Sequence, residues 1–452
     1  MFSIRWVLQF LFLMPKSMIP SSAGSINYVP NNSKPHVVIA GAGPAGLLSA
    51  VFLSQAGVSV TVLEKSPVTD PWSTKSYSIN LNGRGLGALD QAGCLEAVQV
   101  VSMKRQRVIV EMNDGTQQHS VKDPPHYAVT RPALVECLEK ILKIEHADRV
   151  SILRGVTVEN ITQDTNGSLL QVQLDNKSEL SCTHIVGADG KWSAVRNSLA
   201  ELEMQFQVQS EPSFGISLSP ILIPPRWKQD ATTVFRPKCS KYYVMAAPLP
   251  DGHCSVSLVC FEEIREDHPW LIPPGDEQQS QQQENMDWEV KVGTTQQAFA
   301  SHEQGDESFA YQLYSMLQND LPKFVKDIGG KEALTTARVK RRSSWLKPLV
   351  NPPRYCDSSG RIVLIGDAAH ATTPSIGEGC NCALESAACL AEAFDKKRNK
   401  ANASRDSDVT VDDLTKAFTE YGIHRPSLVL PVQIKSALSN RYKVPAEAAS
   451  PR

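Results

Sequence analysis

Pro35-His-Val-Val-Ile-Ala-Gly-Ala-Gly-Pro-Ala-Gly46 decides the reading of this chain. Its first six residues form a short apolar, β-branched run, the pattern of a buried strand. Gly41, Gly43 and Gly46 follow as G-x-G-x-x-G, where the strand gives way to a helix. Gly41 permits a tight turn. Gly43 lets the backbone approach a pyrophosphate, and Gly46 lets helix and strand pack closely. Leu47–Gln55 continues the helix, and Gly57 ends it. Val58–Leu63 is a second apolar run. It closes on Glu64, where a carboxylate can accept both hydroxyls of a ribose. This is a βαβ unit of the ~30-residue span a dinucleotide-binding fold requires. Alone, it does not separate NAD from FAD.

Upstream, Trp6–Met14 is mostly apolar, with Arg5 before it and Lys16 after it. Small residues follow at Ser21–Ser25, and the first acidic residue is Glu64. Residues 1–33 therefore read as a targeting leader outside the fold, directing the chain to an organelle or the secretory pathway. The leader leaves membrane association, the compartment and the oligomeric state open. The apolar run is short for a bilayer, and Pro15, Lys16 and Pro20 interrupt it.

Downstream, Arg131–Ile144 has helical periodicity, with Leu134, Leu138, Ile141 and Leu142 on one face. Strand-like pieces flank Asn166-Gly167, and His184–Ala188 and Arg361–Ile365 read as buried strands. Val234–Phe261 alternates around Pro250-Asp-Gly252 and reads as a hairpin. Residues 272–308, rich in Gln, Glu and Ser, read as a low-complexity surface insertion. Glu385–Lys397 reads as a helix. Nucleotide-domain pieces at 34–203 and 346–452 thus flank a β-rich middle at 204–345, the first piece also lending it some strands. The chain's 452 residues suit two or three structural units. A net charge of −2 gives no electrostatic case for nucleic acid. The ten cysteines show no C-x-x-C and no zinc spacing, which predicts small buried thiols rather than a metal site.

Two further motifs complete the pattern: Gly187-Ala-Asp-Gly-Lys-Trp-Ser-Ala-Val-Arg196 and Gly366-Asp-Ala-Ala-His-Ala-Thr-Thr-Pro374, the latter continuing to Gly377-Glu-Gly379-Cys-Asn381. With the glycine motif, these resemble the three signatures of class A flavoprotein monooxygenases, the para-hydroxybenzoate hydroxylase-like group. The resemblance runs from about 36 to 430. It implies an α/β fold: a Rossmann-type FAD-binding domain with an inserted mixed, β-rich substrate domain. It also implies FAD as cofactor, NADPH (or NADH) as transient co-substrate, and O₂. A small aromatic molecule would be hydroxylated by a flavin C4a-hydroperoxide, with no protein nucleophile. Ser78–Leu81 with Arg84-Gly85, Met103–Val110 and Tyr243–Gly252 resemble the kynurenine 3-monooxygenase family in particular.

The resemblance assigns cofactor contacts to Gly41, Gly43, Ala45, Gly46, Glu64, Lys65, Asn82, Arg131, Val158, Asp189, Gly190, Asp367, Cys380 and Asn381. It puts Pro374, Gly377 and Gly379 in the loop under the flavin ring, where backbone N–H groups stabilise charge on reduced flavin. It gives the substrate-carboxylate arginine as Arg107, with Arg105 as the alternative. His370 is assigned local hydrogen bonding, not acid–base work. The chain departs from the family in two places. The tyrosine paired with that arginine is not recovered, His119 being nearest, and the loop reads PSIGEGCN where the family has PFFGQGMN. A reductase of the geranylgeranyl reductase type, which shares the fold, and an inactive flavin-binding protein are the competing readings. Oxygen uptake separates the first from a hydroxylase.

Overall fold

The computed structural model describes residues 34–68, 78–164, 168–203, 206–208, 213–261, 263–271, 289–290, 303–336, 338–344, 348–350, 354–372, 376–400 and 409–441. The leader, Pro374, Ser375, the Asn166-Gly167 turn and most of the 272–308 insertion lie outside the described residues.

The first unit is a five-stranded, wholly parallel sheet: β1 (His36–Ala40), β2 (Ser59–Glu64), β6 (Val150–Arg154), β10 (His184–Gly187) and β19 (Ile362–Leu364). Its spatial order is β6-β2-β1-β10-β19, third, second, first, fourth, fifth along the chain. This is the doubly wound order, in which ligands bind beyond the strand carboxyl ends. Every residue of β1 is buried, as expected where helices cover both faces. Helix α1 (Pro44–Gln55) starts with Pro at its first turn, where the missing N–H costs nothing. Helices α2 (Gly83–Gln91), α3 (Leu95–Val100), α4 (Arg131–Glu145), α5 (Ala194–Leu202) and α10 (Asp367–His370) belong to this unit, as do α11 (Gly379–Lys400) and α12 (Val411–Arg441). A three-stranded antiparallel sheet, β7 (Val158–Gln163), β8 (Leu170–Leu174) and β9 (Glu179–Cys182), spans the crossover between β6 and β10.

The second unit is a mixed nine-stranded sheet, ordered β16-β17-β12-β15-β14-β13-β4-β5-β3. Its strands are β3 (Ser78–Leu81), β4 (Met103–Met112), β5 (Gln117–Thr130), β12 (Ser213–Leu222), β13 (Ala231–Arg236), β14 (Tyr242–Pro248), β15 (His253–Cys260), β16 (Glu289–Val290) and β17 (Arg338–Ser344). A short antiparallel pair, β11 (Phe206–Val208) with β18 (Pro348–Val350), lies where the chain passes into and out of the middle strands. One face of the sheet, with Phe235, Val244, Val256 and Leu258, shares a core with α7 (Glu303–Asp320), α8 (Pro322–Asp327) and α9 (Gly330–Thr336). The short α6 (Ile264–Asp267) adds Ile264 to that core.

Two helix starts correct the sequence reading. Helix α7 begins at Glu303, inside the expected insertion, because Phe309, Leu313, Met316 and Leu317 supply a buried stripe behind a polar first turn. Helix α11 begins at Gly379, not Glu385, since weak helix formers in its first turn hide the start.

Helix α12 contains Pro426 and Pro431. Proline has no N–H, so Pro426 leaves the Gly422 carbonyl without its helical partner. Tyr355 donates its N–H to that carbonyl at 2.8 Å. Gly422 has no room for a Cβ, because Cys356 occupies the space. Among the described residues, no helix is long and apolar enough to cross a membrane, and no group of His, Cys, Asp or Glu could hold a metal ion.

Candidate functional site

The site begins where β1 ends. Gly41 has φ +101°, and a side chain there would collide with the Ala188 carbonyl. Gly43 is the N-cap of α1 and, lacking a side chain, leaves the first N–H groups of the helix open to an anion. Arg131, at the start of α4, brings Nη2 to 3.7 Å from where a Gly43 Cβ would sit. At the end of β2, Glu64 is oriented by two backbone donors: Ala42 N–H to Oε2 and Ser66 N–H to Oε1, each at 2.9 Å. Ala45 and Gly46 are buried in α1, and Lys65 is exposed beyond Glu64.

The facing wall comes from the ends of β10 and β19. Asp189 accepts the Val195 N–H through Oδ2 at 3.2 Å, while its Oδ1 is buried with no partner. Burial pushes that carboxyl up. Gly190 follows at φ +83°. Arg196 ties the two loops together, donating to the Ala368 carbonyl at 2.9 Å and the Lys191 carbonyl at 2.6 Å. Asp367 opens α10 after Gly366 at φ +59°. Its carboxyl is pushed up by dense surroundings, opposed by the charges of Lys191 and Arg131. Cys380 is half-buried beside them, its thiol raised to about 12 by burial and then by Asp367.

Gly377 (φ +66°) and Glu378 lead into α11, whose first turn holds Gly379, Cys380 and Asn381. Asn381 is fully buried, its Oδ1 accepting the Asn82 N–H at 3.0 Å. Its Nδ2 donates to the carbonyls of Asn80 at 3.0 Å and Gly377 at 3.2 Å. Asn82 caps α2 and donates to Glu378 Oε1 at 2.8 Å. The loop is thereby fastened to β3, an edge strand of the second sheet.

From there a polar line runs into the sheet. Asn80 meets His126 at 3.0 Å, and His126 lies directly opposite Arg105. Arg105 is 2% exposed and donates Nη1 to the carbonyls of Gln229 and Ala231. Its Nε and Nη2 are buried without partners. Arg107 is accessible, its Nε paired with Asp230 Oδ2 at 3.1 Å. The face of the sheet turned away from the helices carries Thr232, Val234, Tyr243, Met245, Ala247, Ser255 and Ser257, all half-buried and uncharged.

The structure thus gathers Gly41–Gly46, Glu64, Arg131, Asp189, Asp367 and the Gly377–Asn381 loop about the carboxyl end of the parallel sheet. Val158 stands apart on β7, buried, two residues beyond Val156, whose N–H donates to the Glu64 carbonyl. Arg105 and Arg107 belong to the other sheet. Lys191 and Arg196 stand inside the Gly187–Arg196 motif, and that position is the sequence signal that marks them.

This donor set fits a dinucleotide. It has a glycine-lined helix N-terminus and two cations for phosphate, carboxylates for hydroxyl donors, and an orphan buried acceptor at Asp189.

Comparison with known proteins agrees with the geometry. The sequence profile of the FAD binding domain matches residues 34–328 and 329–405. A kynurenine 3-monooxygenase from Salinispora tropica is 28% identical over 403 residues, spanning 82% of this chain and 75% of that one. The violacein synthase of Chromobacterium violaceum is 24% identical over 404 residues, spanning 85% and 80%. Among solved structures, Klebsiella pneumoniae HpxO complexed with FAD and uric acid superposes with a TM-score of 0.63 at 18% identity, covering 90% of this chain and 88% of that one. Pseudomonas aeruginosa PqsL in complex with 2-aminobenzoylacetate gives 0.63 at 19%, covering 89% and 95%.

Proposed function

Since this chain belongs to the FAD binding domain family and is an FAD-dependent monooxygenase, we propose that it hydroxylates a small aromatic substrate at the expense of NADPH and O₂. The overall balance is one substrate C–H, one O₂, one NADPH and one proton giving one C–OH, one water and NADP⁺. When bound, the flavin supplies the hydride acceptance and oxygen activation. The protein binds, orients and excludes water.

The helix N-terminus at Gly43–Gly46 and the Arg131 guanidinium hold the FAD pyrophosphate. Glu64 accepts the ribose hydroxyls, and Asp367 accepts from the ribitol chain. The Gly377–Asn381 backbone would meet the ring and offer N–H groups to negative charge on it. Asn82 and Asn381 hold that loop in place. Asp189 and Gly190 border the groove where NADPH docks transiently.

The observation that carries the substrate class is the half-buried patch of Thr232, Val234, Tyr243, Met245, Ala247, Ser255 and Ser257, uncharged itself and bordered by the exposed Arg236. Apolar and hydroxyl-bearing side chains there suit an aromatic ring and would leave a buried ionic group unpaired. An acidic substituent would be met at the margin. Arg107 is the accessible candidate, oriented by Asp230, whereas Arg105 is enclosed. Arg107 pairs with Ala231 at the strand end, on the helix side of the sheet, so it would reach such a group only around the sheet edge. The kynurenine 3-monooxygenase relatives make L-kynurenine the first substrate to try.

The test is NADPH oxidation and oxygen uptake by the FAD-loaded protein, with L-kynurenine and with aromatics lacking a carboxylate. Stimulated uptake with a hydroxylated product supports the proposal. NADPH oxidation without oxygen uptake overturns it in favour of a reductase.

A further inference from the structure

Behind the loop lies a polar cluster that the reading above does not use. Arg425, on α12, is 2% exposed. It donates to Ser386 Oγ at 3.0 Å, the Cys382 carbonyl at 3.1 Å, Glu385 Oε2 at 2.8 Å and Cys389 Sγ at 3.4 Å. All four acceptors belong to the opening turns of α11. Ser386 Oγ also donates to the Cys382 carbonyl at 2.8 Å and meets His370 Nε2 at 2.8 Å.

One set of proton directions satisfies these contacts: Ser386 donates to the Cys382 carbonyl and accepts from Arg425, which can only donate, and from His370 Nε2. His370 Nδ1 is buried without a partner. Burial, then the nearby Arg425 charge, push the His370 pKa down to about 3. The ring is neutral, as this tautomer requires.

The cluster's place matters more than its chemistry. His370 ends the helix that Asp367 begins. Cys382 follows directly on Asn381. Helix α12 grips the same region a second time, Gln433 Nε2 donating to the Ala371 carbonyl at 3.3 Å.

We propose that Arg425 is a positioning residue for the flavin site: through Ser386 and His370 it fixes Asp367 and the Gly377–Asn381 loop relative to one another, from behind. This rests on reading those two segments as the flavin-facing wall. A wall set from outside the cleft keeps its N–H groups aimed without spending flavin binding energy on their alignment. Removing Arg425 loosens the wall, so FAD binds less tightly and more of the electrons from NADPH escape as hydrogen peroxide.

The experiment compares wild type, Arg425→Ala and Ser386→Ala. For each, circular dichroism and melting report the fold of the apoprotein. Quenching of flavin fluorescence gives the FAD dissociation constant, and the visible spectrum and peroxide yield report the ring's surroundings. Arg425→Ala is expected to bind FAD about tenfold more weakly, the scale of one lost charged hydrogen-bond set. Millimolar guanidinium is expected to restore binding in this variant and leave wild type unchanged. Wild-type affinity, spectrum and peroxide yield in Arg425→Ala overturn the proposal, as does a loss that guanidinium does not rescue. If Arg425→Ala does not fold, Ser386→Ala decides, since it keeps the Arg425–Glu385 pair. It is expected to weaken FAD binding by about threefold, and unchanged binding there overturns the proposal. Failure of the wild-type protein to bind FAD would be a different result, sinking the flavin reading underneath.

Discussion

Asn381 reaches back 299 residues to accept the backbone N–H of Asn82 at 3.0 Å, joining the first turn of α11 to the N-cap of α2. The same amide donates to the carbonyls of Asn80 and Gly377. One buried side chain thus satisfies three backbone groups, two at Asn80–Asn82 and one at Gly377.

Asn381→Ala is expected to cost about 2–3 kcal/mol, because the Asn82 N–H and two carbonyls lose their partner. Urea unfolding of the apoprotein measures this directly. A stability within experimental error of wild type would show that water takes over the amide's role.

Glycines in this chain separate into those that need the space and those that need only the backbone angle. Gly46→Ala would drive a Cβ into the Gly41 carbonyl, a backbone atom with no room to give, and is expected to abolish FAD binding. Gly57 has φ +87° with nothing within 4 Å, so Gly57→Ala is expected to cost only about 1 kcal/mol and keep FAD. Equal damage from both would refute the distinction.

Glu111 is 3% exposed and joins β4 to α8. Burial raises its pKa, but hydrogen bonds from Arg226, Gln117 and Lys323 outweigh that and hold the carboxyl below its ordinary value. Its contribution is therefore full above the ordinary glutamate range and is lost as pH falls through the lowered folded value. Glu111→Gln is expected to destabilise by about 1 kcal/mol near pH 7, since Lys323 and Arg226 are part-exposed and Arg226 keeps its pairing with Asp327. The gap between variant and wild type should close at acid pH. A gap independent of pH would assign the effect to packing.

Two histidines make the folded chain sensitive to mild acid. His184, bonded to Thr415 and Thr183, is pushed down to about 3 by burial and then by Arg361. His370 is pushed to the same level. Both folded values lie below the ordinary 6.5. The unfolded chain therefore binds protons that the folded chain refuses. Stability is full above about pH 6.5 and falls below it, by about 1.4 kcal/mol per pH unit for each ring. Denaturant midpoints at about pH 7 and pH 5 test this, and His184→Gln should remove only part of the slope, since burial lowers His36, His126 and His146 as well as His370. A flat profile in wild type would mean that the rings protonate in place.

The nucleotide half of the fold was legible because its chemistry is local. Gly41, Gly43, Gly46 and Glu64 sit within one βαβ unit, and each residue type answers a constraint set by its immediate neighbours. The opening of α11 was not legible, because Gly379, Cys380 and Asn381 are poor helix formers held in place by Asn82 and Arg425, far away in sequence. Arg425 itself reads as one more arginine on a polar helix. Its partners lie about forty residues upstream, at distances no periodicity reports. Arg105 and Arg107, two residues apart on one strand, could not be told apart by spacing. Only the structure shows one enclosed and the other paired with Asp230.

Pro426 has a consequence for anyone who would redesign this chain. By helix propensity it ranks with Pro431 as the worst residue in α12, and a stabilising search would target it at once. Yet the carbonyl it releases is the one that receives Tyr355, whose ring lies 5.7 Å from that of His370. Any other residue there would put a second N–H in competition for the same acceptor. Mending the helix would thus be expected to loosen the strand behind it. The flaw in one element is the joint between two.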